Sequence, residues 1–199
     1  SQSIGYPVNT DAFEGTPSIA ADGKKLYFTR WNENPKDPAW SIYVSEKLNT
    51  TWLPPKKLND LVNAPGFKTI HPCISPDGYL LFFSSDRPGG YGKMDIWMTI
   101  LDESGQPTEV VNLGERINTF EDELSPFYNN KTKTLFFSSN GNFGFGGFDI
   151  YKSHSGDGSW SEPENMGFPI NSSKDEMFYV TTESESYGYL SSDRDGSCN

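Results

Sequence analysis

A segment of about 54 residues recurs along this chain, and its period constrains the fold more than any other feature of the sequence. Each unit opens with a β-branched residue followed by Asn, at Val8-Asn9, Val62-Asn63, Ile117-Asn118 and Ile170-Asn171. The spacings between successive pairs are 54, 55 and 53 residues. A period of this length is typical of proteins that repeat one supersecondary unit in an array or a ring.

Each unit contains short apolar segments separated by turn signals. Asp22-Gly23 and Asp77-Gly78 indicate hairpins. A strand of the type LLFFSS follows, then a glycine-rich loop, a third strand of the type DIWMT and a connector to a fourth strand. Helical periodicity is absent. The pattern predicts an all-β fold, a β-propeller of four-stranded antiparallel blades with about 54 residues per blade.

The repeat boundaries assign the whole chain, residues 1–199, to one propeller domain. Residues 1–7 are expected to end a preceding blade, and residues 170–199 to form an incomplete one. The three blades between them are expected at 8–61, 62–116 and 117–169. Because the last unit stops before its third strand, we expect the chain to be a fragment of a larger ring.

Charge and hydropathy narrow the classes of partner. The chain has 27 acidic and 16 basic residues, a net charge of −11. This argues against nucleic acid, which requires a basic surface, and against electrostatic docking on anionic lipid. No apolar run approaches the roughly 20 residues that span a bilayer, so direct membrane insertion is not expected. Cys73 and Cys198 form no metal-binding spacing and are expected to be free thiols, and no cofactor is predicted.

Catalytic motifs are absent from the sequence. His71 and His154 do not recur, and neither G-x-S-x-G nor H-E-x-x-H occurs. SGDGSW at 155–160 resembles the Asp box of sialidase-type propellers only loosely, and that box is itself a structural turn. A phosphate-binding loop occurs once per site, whereas this glycine-rich loop recurs, so we interpret it as a blade connector. We expect a protein that is not an enzyme; paired carboxylates at a channel mouth, as in glycoside hydrolysis, are the alternative.

Several repeated residues are assigned structural roles. Hydroxyl and carboxylate groups beside turns usually bond local backbone N–H groups, as expected here of Ser84, Ser85, Asp95, Ser138, Ser139 and Asp149. A cation site is the alternative for the aspartates, but DRPGGYGKMD does not match a calcium loop. Trp52 and Trp160 are expected to pack outer strands against a neighbouring blade. The loop glycines, residues 89, 90, 92, 144, 146 and 147, are expected to adopt positive φ.

Blade geometry also predicts a partner surface. The loop between the second and third strands lies at the same end of a blade as the loop between blades, so glycine-aromatic and acidic segments should meet there. The predicted face contains Trp31, Trp40, Tyr91, Phe143, Phe145, Glu14, Asp122, Glu123, Asp175 and Glu176. Its negative charge favours a basic partner segment or a bound cation. Alternatively, the carboxylates cap the inner strands and touch only backbone.

These motifs together resemble a known repeat. The pieces that match it are Trp160 to Pro163, Asn165, Gly167, Ile117-Asn118, Asp122-Glu123, Ser125-Pro126, Phe136 to Ser139 and Asp149 to Tyr151. They are similar to the WD-like propeller repeat of the TolB type, in the version found beside OmpA-like peptidoglycan-binding domains of Gram-negative envelope proteins. The first unit departs from the pattern, with Ser41 where the others have Asp.

The resemblance implies a periplasmic protein associated with the outer membrane. Its implied role is that of a non-catalytic interaction scaffold with protein partners in the envelope, for example in a secretion complex such as the type IX system. Contact with peptidoglycan would come through a domain outside this chain. A glycan-binding or glycan-cleaving propeller is the alternative function.

Overall fold

The structure, a computed structural model, describes residues 3–32 and 39–195, with the side chains of residues 32 and 39 excepted. This part of the chain is built from β-strands and contains no helix, hence none that could cross a membrane. Two parts of the predicted repeats lie outside the described residues. They are the centre of the first unit's long loop and the last four residues of the predicted incomplete blade, which include Cys198.

The strands form four antiparallel sheets in chain order. The first contains β1 (Glu14–Ile19), β2 (Lys25–Asn32), β3 (Ala39–Leu48), β4 (Thr51–Trp52) and β5 (Lys56–Lys57). The second contains β6 (Thr69–Ile74), β7 (Leu80–Ser85), β8 (Asp95–Leu101) and β9 (Pro107–Asn112). The third contains β10 (Glu123–Asn129), β11 (Thr134–Ser139), β12 (Asp149–Gly156), β13 (Ser159–Trp160) and β14 (Glu164–Asn165). The fourth contains β15 (Glu176–Thr181) and β16 (Gly188–Ser192).

The prediction of an all-β fold with four-stranded antiparallel blades is confirmed, although the outermost strand differs between the sheets. In the first and third sheets it is split into two-residue pieces, β4 and β5, and β13 and β14. Pro54, Pro55 and Pro163 fall in these breaks. Proline has no N–H to donate to a neighbouring strand, so pairing stops there. In β9 proline occupies only the first position, and the strand is continuous over six residues.

The inner strand of every sheet contains a bulge at the same point. The register shifts between β1 and β2, β6 and β7, β10 and β11, and β15 and β16. At the shift stand Thr16, His71, Ser125 and Phe178, with φ values of 50°, 55°, 54° and 55°. The bulges place all four residues around one small central cavity of about 90 Å³.

The hydrophobic core lies between successive sheets, because both faces of each middle strand are covered. On β7, Phe83 packs with Tyr27 and Ile42 of the first sheet. Its neighbour Phe82 points the other way and packs with Tyr128 and Leu135 of the third sheet. Successive side chains of a strand alternate between its faces, so a doubled phenylalanine supplies one ring to each interface. Burying one such ring contributes about 1.5–3 kcal/mol.

The Asn of the repeat closes each inter-sheet interface. Asn63, Asn118 and Asn171 are buried, and each side-chain oxygen accepts the backbone N–H of an isoleucine on the preceding sheet's third strand, at 2.7–2.8 Å. Each side-chain nitrogen donates to the same isoleucine's carbonyl at 2.9–3.0 Å. The isoleucines are Ile42, Ile96 and Ile150. The β-branched-Asn pair recurs because this two-point contact recurs.

The two predicted structural tryptophans have different surroundings. Trp160 reaches the second sheet, where its ring lies 6.3 Å from that of Phe82, and it also contacts Tyr128 of its own sheet. Trp52 packs against Phe28 and Tyr43 within the first sheet.

Candidate functional site

The glycine-rich loops and the acidic loops meet at one end of the sheets. Lys93 N–H donates to the carbonyl of Glu121 at 3.1 Å, and Glu123 N–H donates to the carbonyl of Met94 at 2.7 Å. The next loop repeats the contact, with Glu176 N–H donating to the carbonyl of Phe148 at 2.7 Å. Each glycine-rich loop is thereby tied to the acidic loop that opens the following unit.

Asp95 and Asp149 shape these loops from inside. Asp95 accepts the N–H of Tyr91 at 2.6 Å and of Gly92 at 3.1 Å, and the side-chain amide of Asn112 at 2.8 Å. Asp149 likewise accepts the N–H of Phe145. Both carboxylates are buried, and these contacts organise the loop from which the aromatic side chains project.

The glycines of these loops are required mainly by close approach, which corrects the expectation of positive φ. Of the six loop glycines only Gly89 has a positive φ, at 91°. A Cβ on Gly92 would lie 2.6 Å from the carbonyl carbon of Phe120 and 2.7 Å from the carbonyl oxygen of Glu121. Glycine at this position lets the loop pack directly on the next unit's backbone.

Two of the predicted serine contacts are wrong. The hydroxyls of Ser84 and Ser138 are buried and have no hydrogen-bond partner among the described residues. They precede the second serine of each pair, and successive strand residues point to opposite faces. Ser85 and Ser139 point toward the loop, where they accept the N–H of Arg87 at 3.3 Å and of Gly141 at 3.1 Å.

The assignment of Glu123 and Glu176 to the partner surface is also wrong, because both residues are buried, whereas Glu14 is half-buried and lines a cavity described below. Glu123 accepts hydrogen bonds from Thr119 N–H, Thr119 Oγ1 and Ser139 Oγ, each at 2.7 Å. Glu176 makes the equivalent contacts with Ser172 and Ser192, and Glu14 bonds Thr10 and Arg30. These carboxylates brace the acidic loops from within.

The pKa values of the two buried glutamates shift in opposite directions. Burial raises the pKa of Glu123 above its ordinary value, because its hydrogen bonds from Thr119 and Ser139 do not offset the loss of water. Burial also acts to raise the pKa of Glu176. Hydrogen bonds from Ser172, Ser192 and Arg194 outweigh this effect, so the pKa is lowered. Arg194 lies 3.0 Å from the Glu176 carboxylate, whereas Glu123 has no such ion pair among the described residues.

The surface at this end of the sheets contains exposed aromatic side chains and fewer charged side chains than the sequence predicted. Phe143 is 99% exposed, and Phe145 and Tyr91 are also exposed. Asp175 is exposed and Asp122 is half-buried, and Lys93 pairs with Glu121. Sequence reasoning missed Phe120, which is 87% exposed, and Phe13, although both stand within the acidic loops it singled out.

Trp31 and Trp40 lie beside a cavity at this end of the molecule. Their ring centroids are 5.2 Å apart, and both side chains are half-buried. The cavity, of about 380 Å³, opens between the first and second sheets. It is lined by Phe13, Glu14, Gly15, Thr16, Thr29, Trp40, Lys68, Ile70 and His71. The lining is mostly apolar, and its charged groups are the Glu14 carboxylate and the Lys68 ammonium.

His71, on the second sheet, contacts the three other sheets at the base of this cavity. Its backbone N–H donates to Thr29 Oγ1 at 3.0 Å, and its Nδ1 accepts the N–H of Ser125 at 3.2 Å. Its ring meets that of Phe178 edge-on at 5.0 Å. Burial lowers the pKa of His71 to about 4, so the ring is neutral at physiological pH and can accept the Ser125 hydrogen bond.

No side-chain cluster suited to holding a metal ion forms in the described part of the chain. His, Cys, Asp and Glu side chains there make no group of three that could hold a metal ion. Cys73 is a free thiol, as predicted, and burial raises its pKa to about 11. A thiol with so high a pKa is a poor nucleophile at neutral pH.

Comparison with known proteins places the fold. TolB from Acinetobacter baumannii is 19% identical over 94% of this chain and 39% of that one, with a TM-score of 0.59. A putative TolB from Agrobacterium tumefaciens is 15% identical over 82% of this chain and 51% of that one, with a TM-score of 0.55. The fold is that of a TolB-like β-propeller. The chain spans roughly two fifths to one half of the length of these two structures.

A similar fold occurs in a hydrolase. An alpha-L-arabinofuranosidase from Lactobacillus brevis is 14% identical over 93% of this chain and 67% of that one, with a TM-score of 0.55. No protein-family model matches the chain, and the search of curated proteins found no match. At these identities the likeness establishes the architecture, and function must be argued from the residues.

Proposed function

We propose that this propeller is a non-catalytic interaction scaffold of the bacterial cell envelope, located in the periplasm and associated with the outer membrane. Its partners would be envelope proteins, as in a secretion complex of the type IX kind or another outer-membrane complex. Anchoring to peptidoglycan would be the task of a neighbouring OmpA-like domain.

One observation carries the proposal: exposed aromatic side chains stand on hydrogen-bonded loops at the same end of the sheets as the cavity beside Trp40. Phe120, Phe143 and Phe145 project from loops tied to each other by backbone hydrogen bonds. Aromatic side chains on a preorganised surface are typical anchors of protein interfaces, since little entropy is lost when they are buried. The 380 Å³ cavity beside Trp40 would receive one partner side chain.

Charge suggests the chemistry of the partner. Asp175, the half-buried Asp122 and the overall charge of −11 favour a partner segment that carries lysine or arginine. Association should therefore weaken as the ionic strength rises.

The alternative, a glycan-binding or glycan-cleaving propeller, has the arabinofuranosidase neighbour as its support. Hydrolysis would require two carboxylates facing one substrate across roughly 5–10 Å. Glu14, Glu123 and Glu176 are instead engaged in loop-bracing hydrogen bonds, which favours the non-catalytic function.

A capture experiment from envelope extracts tests the proposal. The double variant Phe143→Ser, Phe145→Ser should lose partners that the parent protein retains, and retention should fall with added salt. The matched control is Ile19→Ser, Tyr79→Ser, which removes two exposed apolar side chains near the hairpin turns at the opposite end. Loss of the partners in the control but not in the loop variant would overturn the assignment of the face.

A further inference from the structure

We call the surface formed by the glycine-rich and acidic loops the loop face. A second recess runs along the outside of the molecule between the second and third sheets. It consists of two adjoining cavities of about 220 and 430 Å³. Both are lined by Met98 of β8 and by residues 158–160, so Trp160 stands between them. We refer to these two cavities together as the rim groove.

The wall formed by Trp160 is held firmly in place. Its ring meets those of Phe82 and Tyr128 at interplanar angles of 72° and 87°. Its carbonyl accepts a hydrogen bond of 2.9 Å from Arg116 Nη1. A tryptophan engaged edge-to-face with two rings serves as a rigid partition, whereas a sugar-binding tryptophan needs a free flat face.

The floor of the rim groove is apolar on both sides of this partition. The smaller cavity is lined by Leu80, Phe82 and Tyr128, and the larger by Val111 and Leu113 with Tyr91 at its margin. Two apolar depressions separated by one ring match an extended peptide, in which alternate side chains point the same way.

The border of the rim groove is acidic. Glu115 lines the larger cavity, and Asp157 precedes Gly158 in the hairpin turn. Glu109 lies on the same face of β9 as Val111, two residues away. Arg116 also lines the larger cavity, and it pairs with Glu162 at 3.6 Å. Four carboxylates and one guanidinium leave the border with net negative charge.

We propose that the rim groove binds an extended segment of a partner protein that alternates apolar and basic residues. Its apolar side chains occupy the two depressions on either side of Trp160. Its lysine or arginine side chains lie opposite Glu109, Glu115 and Asp157. This surface meets the loop face at Tyr91 and otherwise has its own lining residues, so a scaffold of this kind can hold two segments at once.

The test uses the chain of 199 residues and a library of acetylated, amidated hexapeptides with each position varied in turn. The parent protein should retain peptides enriched in Lys or Arg next to Leu, Ile, Met or Phe. In the variant Val111→Lys, Glu115→Lys, retention should fall by about tenfold or more, the amount expected for one lost anchor. The matched control Ile19→Lys, Glu103→Lys makes the same chemical changes at exposed positions outside the rim groove.

Other results would overturn the proposal. They are enrichment of acidic peptides, absence of enrichment, or equal retention by the rim-groove variant and the parent at matched thermal stability. Displacement of the peptides by tetra-N-acetylchitotetraose would indicate a glycan site instead. Loss of retention in the Phe143→Ser, Phe145→Ser variant, with the rim-groove variant unaffected, would move the peptides to the loop face. That last result would contradict the rim-groove proposal and leave the proposed function intact.

Discussion

The side chain of Asn118 holds the backbone of Ile96 at two points. Its Oδ1 accepts the Ile96 N–H at 2.8 Å, and its Nδ2 donates to the Ile96 carbonyl at 3.0 Å. The amide therefore joins the second and third sheets as another strand would. Ile96 is fully buried, so removing the amide leaves its N–H without a partner, whereas its carbonyl still accepts the Leu113 N–H at 3.2 Å.

We expect Asn118→Ala to lower the free energy of unfolding by about 1–4 kcal/mol, the cost of one buried unsatisfied N–H, a weakened contact to the Ile96 carbonyl and a small cavity. Asn9→Ala should cost less than about 1 kcal/mol, because Asn9 is exposed and its side chain bonds Ser3 and Gly5 alone among the described residues. Urea unfolding of both variants checks this. Equal midpoints would contradict a role for Asn118 in joining the sheets.

Much of this architecture could be predicted from the sequence, because each element depends on residues that recur. Val62-Asn63 and Ile117-Asn118 mark the same inter-sheet contact in successive units. The doubled phenylalanine of LLFFSS identifies a strand covered on both faces. The split outer strands were missed, although Pro54, Pro55 and Pro163 carry the signal for them.

The candidate site was harder to predict, because burial depends on the loop around a residue. Glu123 and Asp122 are neighbours in an acidic segment, yet one braces the loop and the other is half-buried at the surface. A hydroxyl four residues before each bracing glutamate, as in Thr119 and Glu123 or Ser172 and Glu176, is the signal that separates them. The rim groove depends on how two sheets meet, for which one sequence contains no periodic signal.

Gly92→Ala should destabilise the protein although alanine is the smallest possible addition. The new Cβ would overlap the backbone of Phe120 and Glu121, and overpacking of this kind typically costs about 1–3 kcal/mol. Gly15→Ala is the matched control, because nothing lies within 4 Å of its Cβ position and its φ is not positive. Thermal melting of both variants should show a loss for Gly92→Ala alone. Unchanged melting of Gly92→Ala would mean that the loop does not rest on the next unit.

Trp160→Ala should cost about 3 kcal/mol, because it removes a ring that packs against both the second and the third sheets. Trp52→Ala should cost less, since Trp52 packs within the first sheet, where Lys47 covers its ring at 5.2 Å. Equilibrium unfolding in urea measures the difference. A larger loss for Trp52→Ala would reverse the assignment of Trp160 as the inter-sheet residue.

His71 makes stability depend on pH below neutrality. Burial lowers its pKa in the folded protein to about 4, whereas an unfolded histidine titrates near 6.5. The unfolded chain therefore binds the proton first as the pH falls. The contribution of the neutral ring is complete above pH 6.5 and is lost between pH 6.5 and 4, with a total on the order of 3 kcal/mol.

His71→Asn tests this dependence with little strain. Asparagine tolerates the φ of 55°, and its Oδ1 can accept the Ser125 N–H that Nδ1 accepts in the parent. The carboxylates are the same in both proteins. Comparing how much the urea-unfolding free energy of each protein changes between pH 7 and pH 4.5 therefore isolates the contribution of His71. We expect the variant to lose less stability over this range than the parent. Equal losses would mean that His71 is hydrated and titrates with its ordinary pKa in the folded protein.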